Sequence, residues 1–390
     1  MIARKELRFG IIGLGLMGRE FASATARWCH LLDLEFVPRI TAICDTNIQL
    51  FDWYLSNFDS IKLSTTDYYQ LLSSSDIDAV YCAVPHNLHQ QFYIDIIKAG
   101  KHLLGEKPFG IDLQANHEIL QTIQANPDVI VACSSEFPFY PAAQKIIGYI
   151  NEQRFGTILE VHSGLLHSSD LDPNKKINWK RMIETNGEYG CMGDLGMHAM
   201  HVPLRAGWHP QNMYAVLSKI VTERPDANNV KVPCKTWDNA TLICDVHTDD
   251  QHFPLYLKMY RISPGNSNTW YINISGTNFS VQYSTKYPKS LHTMEYKSGG
   301  EQAWKTIEIG YDTVYGTITG GIFEFGFPDA MLQMWAAFCD ELTNGRNRML
   351  QSFYCATPQE TRLHHEILTA ALDSHKRAQV VSPQTSNTAV

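Results

Sequence analysis

The chain has 390 residues, which at roughly 150 residues per domain favours two domains. Hydrophobic residues make up 44% and charged residues 18%, enough for a sizeable core, so a collagen-like, coiled-coil or broadly disordered chain is excluded. Lys plus Arg number 32 against 40 Asp plus Glu, a net charge of −8 with no Lys/Arg block, so the concentrated basic face that binds a nucleic-acid backbone is missing.

From the N-terminus, short apolar runs alternate with amphipathic stretches in the βαβα rhythm of a parallel sheet covered by helices. Leu7–Gly13 reads as a strand, Met17–Ala26 as a helix, and Ile40–Asp45, Ala79–Val84, His102–Leu104 and Val129–Ser134 as further strands, rich enough in Ile, Val, Ala and Cys to be buried on both faces. After Ser135 the character changes. Thr241–Thr248, Phe253–Ile262 and Trp270–Ser275 alternate as strands with one wet face, and Met331–Leu342 and Gln359–Ala378 read as helices. The expected organisation is an α/β doubly wound parallel sheet over 1–135, an α+β domain with an open mixed or antiparallel sheet over 136–381, and a mobile polar tail over 382–390.

Apolar stretches are strand-sized, short of the roughly 20 residues of a membrane span, and no signal core follows the first residues, so a soluble cytoplasmic protein without a membrane partner is expected. Nine widely spaced cysteines, none in a C-x-x-C pair, read as buried free thiols and not as a zinc site.

The first strand runs into Gly10-Ile-Ile-Gly13-Leu14-Gly15-Leu16-Met17-Gly18, a G-x-G-x-x-G between strand and helix. Gly13 permits the tight turn, Gly15 lets the backbone approach a pyrophosphate, and Gly18 lets the helix pack closely. With Leu16 and Met17, these glycines put the phosphates at a helix N-terminus, where free N–H groups favour anions. Asp45 closes the next strand and suits a ribose 2′-hydroxyl, although it lies further on than the usual ~20 residues; an aromatic-rich insert around Trp28–Pro38 accounts for the excess. A 2′-phosphate would face that carboxylate, so NAD is expected over NADP.

Two more clusters carry chemistry: Ala79-Val80-Tyr81-Cys82-Ala83-Val84-Pro85-His86-Asn87-Leu88-His89 with the later Glu106-Lys107-Pro108, and Gly193-Asp194-Leu195-Gly196-Met197-His198. Lys107, just past a strand C-terminus, can donate to a substrate hydroxyl and stabilise an alkoxide while Glu106 fixes it. Asp194 and His198 stand four apart and share one helix face, with His198 suited to take a hydroxyl proton and Asp194 to orient it. Asp194, His198 and His201 could also be metal ligands, but hydride transfer needs no metal when Lys107 polarises the oxygen, and none is expected.

With these residues the sequence resembles the glucose-fructose oxidoreductase, inositol dehydrogenase and MocA (Gfo/Idh/MocA) family over nearly its whole length. The resemblance implies a Rossmann domain joined to an open-sheet domain that often mediates oligomerisation, in a dimer or tetramer. It also implies NAD-dependent oxidation of a sugar, inositol or glycoside hydroxyl, with Lys107, Asp194 and His198 as the catalytic set. Pro85, His89, Glu106 and Lys107 would join the glycine loop and Asp45 on the cofactor, and a cis bond commonly precedes the residue matching Pro108. Lys107, Asp194, His198, His167, Trp179 and Lys180 are the candidate substrate residues, with Trp237-Asp238-Asn239 as further selectivity candidates. Ser135-Glu136-Phe137 replaces the family's common Asn-x-Arg, and only part of its glycine triplet survives before Asp194. Two other readings stay open: a tightly held, recycled NAD serving a net non-redox step such as glycoside cleavage, and a non-catalytic NAD-sensing regulator.

Overall fold

A computed structural model describes residues 4–310 and 313–383, which form two compact units. The tail expected at 382–390 falls, from 384 on, outside the described residues.

Among the described residues, the first unit comprises 4–110, 114–139 and 313–358. Its sheet holds β1 (Lys5–Ile12), β2 (Phe36–Cys44), β3 (Leu63–Thr65), β4 (Ala79–Cys82), β5 (His102–Gly105) and β6 (Val131–Cys133) in the order β3-β2-β1-β4-β5-β6. Every pairing is parallel. This is the doubly wound order, whose direction reverses between β1 and β4 and leaves a crevice at their carboxyl ends. The aromatic-rich insert is shorter than the sequence suggests, because Phe36–Arg39 join β2 and pair with Lys5–Arg8. Residues 313–358, expected in the C-terminal domain, belong to this unit. The reason is aromatic burial on the helix Phe327–Asn344: Trp335 is fully buried with its ring 4.8 Å from that of Phe9, and Phe338 lies 6.3 Å from the same ring. An ion pair of 2.5 Å joins Arg27 to Asp329 at the helix's first turn.

Among the described residues, the second unit comprises 111–113, 140–310 and 359–383. It contains β7 (Ile158–Leu166), β8 (Pro210–Ser218), the short pair β9 (Glu223–Pro225) and β10 (Lys231–Pro233), β11 (Asn239–His247), β12 (His252–Tyr260), β13 (Thr269–Gly276), β14 (Phe279–Ser284), β15 (Ser290–Glu295) and β16 (Lys305–Glu308). The large sheet runs β16-β15-β14-β13-β7-β12-β11-β8, antiparallel except where β7 meets β12. Burial alternates along β11 and β12, so one face is dry. The helix Cys191–Arg205 is buried from Cys191 to Leu204, which a helix needs if it is covered on all sides. Glycine makes that possible: a Cβ on Gly196 would stand 2.7 Å from Nε2 of His364 on the helix Pro358–Arg377.

All nine cysteines are free thiols and all but Cys29 are buried. Burial pushes Cys44 and Cys191 up to about 12, so these thiols stay protonated. Among the described residues no helix is long and apolar enough to cross a membrane.

Candidate functional site

In the first unit β1 ends at Ile12 and the helix Leu16–Ala26 begins after Gly15. Gly13 turns the chain at φ 93°, and a Cβ there would meet the Ala83 carbonyl oxygen at 2.4 Å, so the loop presses against the end of β4. Gly18 is packed as tightly, its Cβ position lying 2.3 Å from the Gly13 carbonyl oxygen. Gly15 differs: nothing lies within 4 Å of its Cβ position, and it and Leu16 are exposed beside a partly covered Met17. Asp45 follows β2 and folds over this loop, with Oδ2 accepting from the Leu14 N–H at 2.8 Å and Oδ1 from the Asn47 N–H at 2.8 Å.

Pro85 opens the turn His86–Leu88 after β4. The buried His89 imidazole lies on Tyr93, ring centroids 4.8 Å apart, with Nε2 3.0 Å from the Val84 carbonyl and Nδ1 accepting from the Gly110 N–H at 3.4 Å. That environment suits a packing residue that steadies the loop. Glu106 is buried past β5 and accepts a 2.6 Å hydrogen bond from the Tyr81 hydroxyl, while the Tyr93 hydroxyl donates to its carbonyl at 2.7 Å. Lys107, half-buried, follows, and the Lys107–Pro108 peptide is cis.

Glu136 is a residue that sequence reasoning left without a role. It is 3% exposed just past β6, where the Ser134 N–H donates to the Gly105 carbonyl and so draws this segment alongside the end of β5. Burial pushes its carboxyl up to about 8, the Glu106 carboxylate adds to the rise, and Lys107 pulls the other way. The glutamate standing in place of the family's Asn-x-Arg was the available signal.

In the second unit Asp194 and His198 lie one turn apart on the buried helix. Asp194 is held by two cations: the Lys180 ammonium is 3.0 Å from both carboxylate oxygens, and the Arg261 guanidinium donates to Oδ2 at 2.8 Å. These two cations fix the carboxylate one turn before His198. The His198 carbonyl accepts from the Trp270 indole N–H at 2.9 Å, which fixes the backbone that carries its imidazole. Trp179 and Lys180 share one 3-10 turn, capped by the Asn178 side chain on the Lys180 N–H at 3.0 Å. His167 closes β7, its N–H donating to the Tyr260 carbonyl at 2.7 Å. His201 is fully buried, and desolvation, helped by Arg205, lowers it to about 3, so its ring is neutral.

Residues 7–133 match the family described as "Oxidoreductase family, NAD-binding Rossmann fold", GFO_IDH_MocA. The levoglucosan dehydrogenase of Pseudarthrobacter phenanthrenivorans is 26% identical over 222 residues, 57% of this chain and 56% of the relative. The resemblance to the Gfo/Idh/MocA oxidoreductases is thus borne out over the NAD-binding domain. The scyllo-inositol 2-dehydrogenase (NADP(+)) IolU of Bacillus subtilis is 22% identical over 196 residues, 50% of this chain and 56% of the relative. The chain thus spans a little over half the length of these curated relatives. A solved levoglucosan dehydrogenase in complex with NADH shares the fold, with a TM-score of 0.85 at 21% identity over 98% of this chain and 100% of that one.

The cofactor of this chain is NAD, and its own residues fit that group. The space above Gly15 is open at a helix N-terminus, which is where a pyrophosphate needs backbone N–H donors, and Asp45 closes the adjoining strand. Trp237-Asp238-Asn239, by contrast, is structural. Asp238 is fully buried, pairs with Arg181 and accepts from the Ile220 and Val221 N–H groups at 2.5 and 2.9 Å. Asn239 bonds both backbone groups of Ile262, and Trp237 carries the Lys219 ammonium over its ring at 4.7 Å. Arg261 was missed altogether. An arginine ending the half-buried alternation of β12 was its one signal, since a buried guanidinium needs a buried carboxylate.

Proposed function

We propose that the chain is an NAD-dependent dehydrogenase that oxidises a secondary hydroxyl of a sugar, inositol or glycoside. The observation that carries this reading is the buried Asp194 carboxylate clasped by Lys180 one helical turn from His198, in a chain whose first unit is an NAD-binding Rossmann fold. The ammonium and carboxylate offer paired donors and acceptors suited to vicinal hydroxyls, and Trp179 and His167 offer flat faces for a sugar ring. NAD, when bound, supplies the hydride acceptor. Lys107 donates a hydrogen bond to the substrate oxygen and steadies its developing negative charge. His198 takes the hydroxyl proton at its imidazole, the side chain most often used as a general base. Arg261 donates to Asp194 Oδ2 and so fixes the carboxylate that pairs with Lys180. In this reading the first unit carries the cofactor and the second the substrate-recognition residues.

The test is absorbance at the reduced-nicotinamide band while the protein meets NAD and a panel of inositols, aldoses, anhydrosugars and glycosides. A rise with one class is expected, and silence across the panel despite measured NAD binding would overturn the assignment. On the substrate so found, Lys107→Ala and His198→Ala are each expected to lower kcat/KM by ~10² to 10⁴. Wild-type values in either variant would remove that residue from the chemistry.

A further inference from the structure

Far along the sequence from the catalytic candidates, β11 and β12 form a hairpin whose turn is closed by the Thr248 N–H donating to the Gln251 carbonyl at 2.8 Å. Residues two apart on a strand share a face, so Asp245 and His247 point the same way, and the register sets His252 directly across from His247. The imidazole rings lie 4.1 Å apart. The His247 Nε2 is 3.1 Å from Asp245 Oδ2, and the His252 Nε2 approaches Oδ1 of the same carboxylate. We propose that Asp245, His247 and His252 form a surface site for a zinc-class divalent cation, bound by both Nε2 atoms and one carboxylate oxygen.

The geometry suits such an ion. One ligand atom from each residue falls within 4.8 Å of the others. Ligands about 2.0 to 2.1 Å from a tetrahedral ion stand about 3.4 Å from each other, close to the imidazole–carboxylate spacing already present. Two imidazoles with one carboxylate favour zinc over magnesium or calcium, which prefer all-oxygen shells. Asn212 supports the set from outside, its side-chain amide donating to Asp245 Oδ2 at 3.2 Å and limiting rotation of the carboxylate. Binding uses the Nε2 lone pairs, so each ring carries its proton on Nδ1, and water completes the shell. The site sits on the wet face of the sheet, with side-chain exposures of 51% and 65% for the two histidines, and an ion there would pin the two strands together at their turn. The sequence conceals it because the His-x4-His spacing stands without the paired cysteines of a zinc finger and the third ligand, Asp245, is an ordinary strand residue.

The proposal stands apart from the dehydrogenase reading, and its test needs no turnover. Full-length protein, treated with EDTA and desalted, is titrated calorimetrically with ZnCl2, and with CoCl2 under visible absorbance. One equivalent of zinc per chain is expected, with no response to MgCl2 and cobalt bands free of thiolate charge transfer. His247→Gln and His252→Gln should each weaken zinc at least tenfold while NAD affinity, reporting an intact fold, stays unchanged. Failure of the wild type to bind zinc, full binding in the double variant, or a thiolate band placing cobalt on the exposed Cys29 would each overturn the site.

Discussion

In the first unit, Asp45 is fastened by backbone N–H groups of Leu14 and Asn47, and the loop it touches is shaped by Gly13 and Gly18, whose Cβ positions are filled by neighbouring carbonyls. In the second, Asp170, Asp194 and Asp238 are fastened by side chains: Lys175 and Arg181 on Asp170, Lys180 and Arg261 on Asp194, and Arg181 again on Asp238. Burial alone would raise the Asp170 carboxyl, yet Arg181, Lys175 and Arg261 outweigh it and hold the group below the usual carboxylate range. A site made of backbone depends on a few local residues. One made of buried ion pairs depends on every member at once, and the two should fail differently.

The largest effect expected from that contrast is at Arg181, whose side chain is fully buried between two aspartates. Arg181→Ala should cost roughly 3 to 5 kcal/mol in chemical denaturation, because it leaves two buried carboxylates without their shared partner. Replacing the arginine by Met together with Asp170→Asn and Asp238→Asn should recover most of that loss, since the charges leave together. A single-variant cost below about 1 kcal/mol would mean that the cluster does not act as a unit.

Glu136 extends the comparison, as a buried carboxyl of the first unit that lies near another carboxylate. Its acidity shifts from an ordinary 4.5 to about 8 on folding. Between those values the folded chain holds a proton that the unfolded chain has released, so stability falls as pH rises. The favourable contribution is complete below about 4.5 and gone above about 8. The slope is at most about 1.4 kcal/mol per pH unit. Glu136→Gln stays uncharged throughout and should flatten that fall in urea midpoints measured at pH 5.5, 6.5 and 7.5. Parallel slopes in the two proteins would place the titrating group elsewhere.

What the sequence made legible follows the same division. Gly13, Gly15, Gly18 and Asp45 announce themselves because a tight turn, a close approach and a strand-end acid are demands of local backbone, met within one strand–helix–strand unit. The parallel strands were legible for a similar reason, as continuous apolar runs. Arg261 and Glu136 were not, since each acquires meaning from a partner distant in sequence: Asp194 for one, Glu106 and Lys107 for the other. Asp238 reads equally as a selectivity candidate or a core residue, because a polar residue beside tryptophan looks alike in a site and in a buried ion pair. The return of Trp335 and Phe338 to the first unit was hidden because an amphipathic helix does not say which sheet it covers.

The smallest effect separates the cofactor role proposed for Asp45, repelling a 2′-phosphate by charge, from the bond its oxygen makes to the Leu14 N–H. Asp45→Asn removes the charge and keeps an acceptor oxygen in the same place, whereas Asp45→Ala removes both. If charge sets cofactor choice, Asp45→Asn should narrow the preference for NAD over NADP by about tenfold, a share of the roughly 4 kcal/mol that two unit charges 4 Å apart carry near a protein surface. Loop integrity should survive, so affinity for NAD itself should change little. Asp45→Ala should narrow the ratio similarly but weaken both cofactors, because the Leu14 N–H loses its partner and the glycine loop loses an anchor. Fluorescence titration of both variants with NADH and NADPH reads the two quantities at once. An unchanged ratio in Asp45→Asn would assign discrimination to a neighbour such as Thr46 or Asn47, and equal NADH affinity in the two variants would show that the glycines hold the loop without the carboxylate.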